Sequence, residues 1–158
     1  MIVVEDGTNV PDANSYVTVE ELVQYSADRG ILLPVDDAEK EILLIKAMDY
    51  LELADNEYVG LRSYPDQLLS WPRTSYSASL GIPRELKKAQ LVLAVAAMTI
   101  ELSPVSSGSA GKKVKIGPIA VERPNESVAR PSVPQAEALL RYLYGSSIGA
   151  GQLRVVRA

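Results

Sequence analysis

The sequence predicts a mainly α fold: a four-helix bundle-like domain with an inserted β-hairpin arm and extended N- and C-terminal segments. Three observations point there. Residues 86–102 contain no Gly or Pro and are dominated by Ala and Leu, the residues that cost least in a helix. Thr18-Val-Glu-Glu21 and Ser132-Val-Pro-Gln135 both have capping-box spacing, with an apolar helical pattern after each. Short β-branched runs flank Gly117-Pro118, the pattern of a hairpin.

Taken in order, Met1–Val4 reads as an edge strand, followed by turn chemistry from Asp6 to Asn14. Thr18 caps a first helix with the apolar stripe Val19, Leu22 and Val23, ending near Arg29 with Gly30 as the residue past the end. Asp36 or Asp37 caps a second helix running to about Leu53. Its inner face is Leu44, Ala47, Met48, Leu51 and Ala54, and Lys40, Lys46, Asp49 and Glu52 can reach solvent. Asn56–Ser79 is a long, turn-rich connection with four of the nine aromatic residues. Pro83 suits the first turn of the third helix, which reaches Leu102 and is apolar on more than one side, as a central, mostly buried helix should be. It is too short and too interrupted to cross a bilayer, which takes roughly 20 apolar residues. Pro104–Gly111 has linker composition, residues 112–123 form the arm, and Ala136, Leu139, Leu140 and Leu143 mark the fourth helix. The expected organisation is one helical domain over residues 1–144 and a flexible tail over 145–158.

Composition removes several function classes. The chain has no Cys and no His, so thiolate chemistry, disulfides and the commonest general base and metal ligand are unavailable. Gly145-Ser-Ser-Ile-Gly149 matches a nucleophile-elbow pattern in form, but a helix precedes it and no His exists to serve it. Asp36, Asp37, Glu39 and Glu41 lack calcium-loop spacing and fit a helix N-terminus better. No catalytic, cofactor-binding or metal-binding residue is expected. Met1–Asp6 has no basic, apolar leader pattern, which leads us to expect synthesis in the cytoplasm.

Charge is unevenly placed. Residues 1–66 hold 15 acidic and 4 basic side chains, and residues 67–158 hold 5 acidic and 12 basic. Such halves can meet head to side between copies, although chance segregation on a solvated surface gives the same count. Lys112, Lys113, Lys115, Arg123 and Arg130 form the main basic segment, but no aromatic lies between Ser77 and Arg141 to stack on bases. Tyr64, Trp71, Arg73 and Tyr76 do interleave aromatic and basic residues. The favoured reading is that Trp71 plugs the core with Leu68 and Leu69 while Arg73 caps or ion-pairs; the other is a partner or DNA contact. Gln152, Leu153, Arg154, Val155, Val156 and Arg157 admit two readings, an unstructured tail or a docking strand.

Several segments together resemble a known family. Asp12-Ala-Asn-Ser-Tyr-Val-Thr-Val-Glu-Glu21, Lys46-Ala-Met-Asp-Tyr-Leu51, Gly60-Leu-Arg62, Gln67-Leu-Leu-Ser-Trp-Pro-Arg73, Ile82-Pro-Arg-Glu-Leu-Lys-Lys-Ala89 and Lys115-Ile-Gly-Pro-Ile-Ala-Val-Glu122 occur in this order. The chain thereby resembles tailed-bacteriophage proteins often labelled DnaT-like single-stranded-DNA-binding, and also the head–tail adaptor, or head-completion, proteins beneath the portal. The resemblance runs from about Asp6 to Tyr144; Tyr58 stands where the pattern has Trp.

The resemblance implies a non-enzymatic virion protein of the neck, forming a ring, usually dodecameric, on the portal protein. The ring would extend the DNA channel and receive a tail, nozzle or stopper protein. Packaged double-stranded DNA would pass through it without sequence-specific binding, and no membrane or cofactor is involved. By the same resemblance, Gln152–Arg157 would dock into the portal. Lys112, Lys113, Lys115, Ile116, Ile119 and Val121 would form the inter-subunit or channel arm. The rival expectation is a replication accessory protein that binds single-stranded DNA.

Overall fold

The computed structural model describes residues 1–74, 81–103 and 130–145 in full, and 114–116 and 119–121 through their backbone. The fold is mainly helical, with four α-helices among the described residues: α1 (Val19–Ala27), α2 (Asp37–Glu52), α3 (Arg84–Ala96) and α4 (Pro134–Leu140).

The first helix starts where its capping box puts it. Thr18 Oγ1 accepts from Glu21 N at 3.2 Å and Glu21 Oε2 accepts from Thr18 N at 2.8 Å, so two N-terminal donors are satisfied reciprocally. It ends in a Schellman motif. Ile31 N donates to Ser26 O at 3.0 Å and Gly30 N to Ala27 O at 3.1 Å, with Gly30 at φ +64°. Of its expected stripe, Leu22 is fully buried but Val23 is exposed. Asp36 caps α2, accepting from Ala38 N at 3.1 Å, and Leu44, Ala47, Met48, Leu51 and Ala54 are all buried.

Two of the expected helix boundaries are corrected. The third helix starts after Pro83, which occupies the cap position, and stops at Ala96, well short of Leu102. Thr99 Oγ1 lies 3.2 Å from the Ala96 carbonyl, and Met98, Thr99 and Ile100 turn back in tight hydrogen bonds. A side chain that competes for backbone partners favours such an ending. At α4 no capping box forms, because Val133 is the cap and Pro134 sits at the first helical position. There its missing N–H is not missed, and Ser132 is left one residue outside the cap.

The helices pack around α3, which touches α1, α2 and α4. Leu86, Ala89, Val92, Leu93 and Ala94 of α3 meet Leu22, Leu44, Ala47, Leu51, Ala136 and Leu140 in one apolar core. Met1–Val4 forms no strand. It makes a single parallel bridge, Val4 with Ser15, since the turn after Val4 takes the chain away at once. That turn is held by Glu5, whose buried carboxylate accepts from the amides of Gly7, Asn9 and Val10 at 2.7–3.0 Å.

Val114–Ile116 (β1) and Ile119–Val121 (β2) pair antiparallel, with Val114 opposite Val121, Lys115 opposite Ala120 and Ile116 opposite Ile119. Tyr76, the linker 104–111, Lys112, Lys113, Arg123 and the segment 152–157 lie outside the described residues.

Candidate functional site

Gln67–Arg73 is where the sequence placed its ambiguous motif. The loop leaves α2 through a short 3-10 turn, Asp55–Glu57. It then doubles back on itself: Ser63 N donates to Pro72 O at 3.1 Å and Thr74 N to Leu61 O at 2.9 Å. This pairing aims Trp71 and Arg73 inward, and the Trp71–Pro72 peptide is cis.

Trp71 is fully buried, edge-on to the Tyr58 ring with centroids 5.8 Å apart, and Tyr58 in turn stacks on Tyr144. Arg73 is 5% exposed. Its guanidinium donates to the carbonyls of Ser70 (3.0 Å), Tyr58 (3.2 Å), Gly60 (2.6 Å) and Asp55 (2.7 Å), and pairs with the Asp55 carboxylate. A planar fork with five donors suits this many fixed acceptors, as a lysine would not. The Arg73 charge also lies 5.4 Å from the Tyr58 ring centroid.

A second layer of polar groups ties the loop to the helices. Glu52, at the end of α2, accepts from Ser70 N at 2.9 Å and Ser70 Oγ at 2.8 Å. Glu52 keeps the partial exposure expected of it, with its side chain 26% exposed, but its carboxylate is turned toward the two donors that the loop carries to it. Tyr16 Oη accepts from Trp71 N at 3.1 Å and contacts Glu52 Oε1 at 3.4 Å. Behind it, Gln90 of α3 accepts from Tyr16 N at 2.9 Å and donates to Ser15 Oγ at 2.8 Å and Leu44 O at 3.2 Å. Arg62 completes the outer edge, 3.2 Å from Asp55 Oδ2.

These environments shift three acids. Burial pushes the Glu52 carboxyl up, more than the Ser70 hydrogen bonds and Arg62 pull it down. Burial acts on Asp55 in the same sense, but hydrogen bonds from Arg62 and Ser70 and the charges of Arg62 and Arg73 outweigh it, so Asp55 is lowered. Burial, then the Glu52 charge, holds the Tyr16 phenol well above its usual range. No group of three acidic side chains among the described residues is placed to hold a metal ion.

The expected site residues thus part company. Trp71 and Arg73 are internal, whereas Tyr64 is 39% exposed on the outer side of the same loop. Leu68 does not join Leu69 and Trp71 in the core but is 59% exposed, because the return pairing of the loop turns it out. The sequence reading gave no role to Tyr16, Asp55 or Gln90 and read Glu52 only as a residue that can reach solvent.

The outer surface is acidic with apolar breaks. The fully described residues carry 18 acidic and 10 basic side chains, whereas the remaining 104–129 and 146–158 hold 6 basic and 2 acidic. Leu32, Val35, Ile42, Leu61 and Tyr142 are each more than half exposed. No helix is long and apolar enough to cross a membrane among the described residues.

The model of the family described as "Putative DnaT-like ssDNA binding protein" matches residues 1–158. No curated protein and no solved structure matches the chain.

Proposed function

We propose that this chain, which belongs to the DnaT-like ssDNA-binding family over its whole length, serves as a head–tail adaptor. In this reading copies form a ring beneath the phage portal, extend the DNA channel and join capsid to tail. Residues 112–123 are its inserted arm and Gln152–Arg157 its portal-docking segment. The observation that carries the reading is the surface of the helical body: net negative, yet with large apolar side chains such as Leu32, Val35 and Leu61 uncovered. Such side chains suit a protein covered by neighbours, and net negative charge suits a channel wall that DNA slides past without sticking.

The family description favours a second reading, single-stranded DNA binding. Base stacking needs accessible aromatics and unpaired cations. The loop best equipped for that has Trp71 and Arg73 committed to the interior. A DNA site would then fall to Lys112, Lys113, Lys115 and Arg123, with Arg130 already paired to Glu57.

The test is the mass of the purified protein in solution, with and without the portal ring. The adaptor reading expects a ring on the portal that is lost when residues 152–158 are deleted. Indifference to the portal, together with oligonucleotide binding that weakens steeply with salt, would replace it with the second reading.

A further inference from the structure

The two ends of α3 lie in opposite surroundings. At its C-terminal end an open groove of about 320 Å³ is lined by Pro34, Glu39, Ile42, Leu43, Ala97 and Met98. Leu43 is buried, while Ile42 and Met98 remain 55% and 38% exposed, and Leu32 and Val35, flanking the Pro34 stretch, are almost fully exposed. Single exposed apolar residues are ordinary, but several around one groove mark a surface that is covered in use. The rim, at the start of α2, is acidic, with Asp36, Asp37 and Glu39 against Lys40. Lys40 Nζ is already held by Asp37 at 2.7 Å and the Val35 carbonyl at 3.1 Å.

The N-terminal end of α3 is the converse. Arg84, Lys87 and Lys88 stand on its first two turns, against Glu85 and, from the N-terminal turn, Asp6. The Arg84 side chain is 93% exposed, with its Nε on Glu85 at 2.8 Å, and Lys88 is exposed. No side chain caps α3, so the positive end of its dipole adds to these cations. Neither Glu39 on the groove rim nor Lys88 is held in a salt bridge among the described residues. The length of α3, 13 residues or about 20 Å, separates the two ends. No side chain crosses that distance, so the groove and the cations of one copy cannot satisfy each other within the chain.

We propose that the groove at the C-terminal end of α3 in one copy receives the basic start of α3, Arg84, Lys87 and Lys88, from a second copy. The methylene stems of these side chains cover Ile42 and Met98 while their charged heads reach Glu39 and Asp36, the way long basic side chains lie on apolar surface. Charge selects this occupant: two grooves brought together would set acid against acid, and two starts of α3 cation against cation. This rests on the ring reading above and names surfaces of the helical body, apart from the arm and the tail, through which copies meet. Groove and cations are different patches, so the contact is heterologous and repeats from copy to copy until it closes.

The chain has no Cys, so Ile42→Cys and Glu85→Cys each add a single thiol, and both leave the three cations in place. Unchanged thermal melting of each full-length variant establishes that it is folded. The two are mixed, with and without the portal ring, and treated with a short bismaleimide. The proposal expects a covalent dimer containing one chain of each kind. It also expects Glu39→Lys to weaken assembly roughly tenfold or more and Lys88→Glu to restore it in the double variant. Assembly without the mixed dimer, or with dimers of like chains only, overturns the proposal and leaves the adaptor reading standing. So does a Glu39→Lys chain that assembles as the wild type does, or one that Lys88→Glu fails to rescue. A protein monomeric in both conditions overturns proposal and adaptor reading together.

Discussion

A Cβ built on Gly7 would lie 2.9 Å from the Cα of Gly81, because the N-terminal turn and the entry to α3 meet backbone to backbone. Both residues have positive φ, +107° and +60°. Gly7→Ala therefore meets two penalties, a left-handed conformation of about 1–2 kcal/mol and overpacking of about 1–3 kcal/mol. Gly30 is the natural control, since it has φ +64° but nothing within 4 Å of its Cβ position. Urea unfolding should show Gly7→Ala as clearly more damaging than Gly30→Ala. Equal losses would mean that the close approach does not matter.

Trp71 is the only tryptophan in the chain and is fully buried, so it reports on its own loop. Its emission should be blue-shifted, poorly quenched by acrylamide and unchanged when a single-stranded oligonucleotide is added. Quenching by the oligonucleotide would mean that a base stacks on Trp71 and that the loop opens. In urea unfolding, Arg73→Lys should be destabilising by about 1–3 kcal/mol, the cost of leaving buried carbonyls without their donors. Lysine keeps the charge but cannot span the carbonyls of Ser70, Tyr58, Gly60 and Asp55 at once.

Glu52 and Asp55 are three residues apart and respond to pH in opposite senses. Glu52 is raised in the folded state from 4.5, chiefly by burial. Its contribution is fully present below that value and is lost as pH rises through the folded pKa. Asp55 is lowered from 3.8, so its contribution is present above that value and is lost as pH falls through the folded pKa. Denaturant midpoints measured from acid to neutral pH should show Glu52→Gln removing the decline above about 4.5 and Asp55→Asn removing the fall at the acid end. Identical pH profiles for the wild type and both variants would contradict this assignment.

The helices were legible because their signals are local. Thr18 with Glu21, Asp36 ahead of α2 and Gly30 after α1 act within one turn of where they stand. The apolar period of α2 was equally plain, since five of its expected inner residues are buried. What escaped was set by distant partners. Glu52 follows the solvent pattern of its helix, and only the arrival of Ser70 turns its carboxylate toward the loop. Leu68 and Leu69 are indistinguishable in sequence, and the pairing of Ser63 with Pro72 decides which of them is buried.

Gln90 gives the sharpest test of the buried polar network. It lies in the middle of α3 with no exposure, and its amide joins α3 to two other segments, the N-terminal one through Tyr16 N and Ser15 Oγ and α2 through the Leu44 carbonyl. Gln90→Leu keeps the helix and a similar bulk but leaves the Tyr16 amide without its acceptor. A buried donor stranded in this way costs about 1–3 kcal/mol, set against a small gain from the added apolar surface. Gln90→Glu keeps an acceptor for Tyr16 but buries a charge facing the Leu44 carbonyl, and should be worse at neutral pH than in acid. A double-mutant cycle with Ser15→Ala separates the network from simple packing, since groups in one network couple by about 0.5–3 kcal/mol. Additive losses within error would mean that Gln90 acts only as filler; a coupled result makes it the residue through which α3 holds the N-terminal segment, and with it the Trp71 loop, in place.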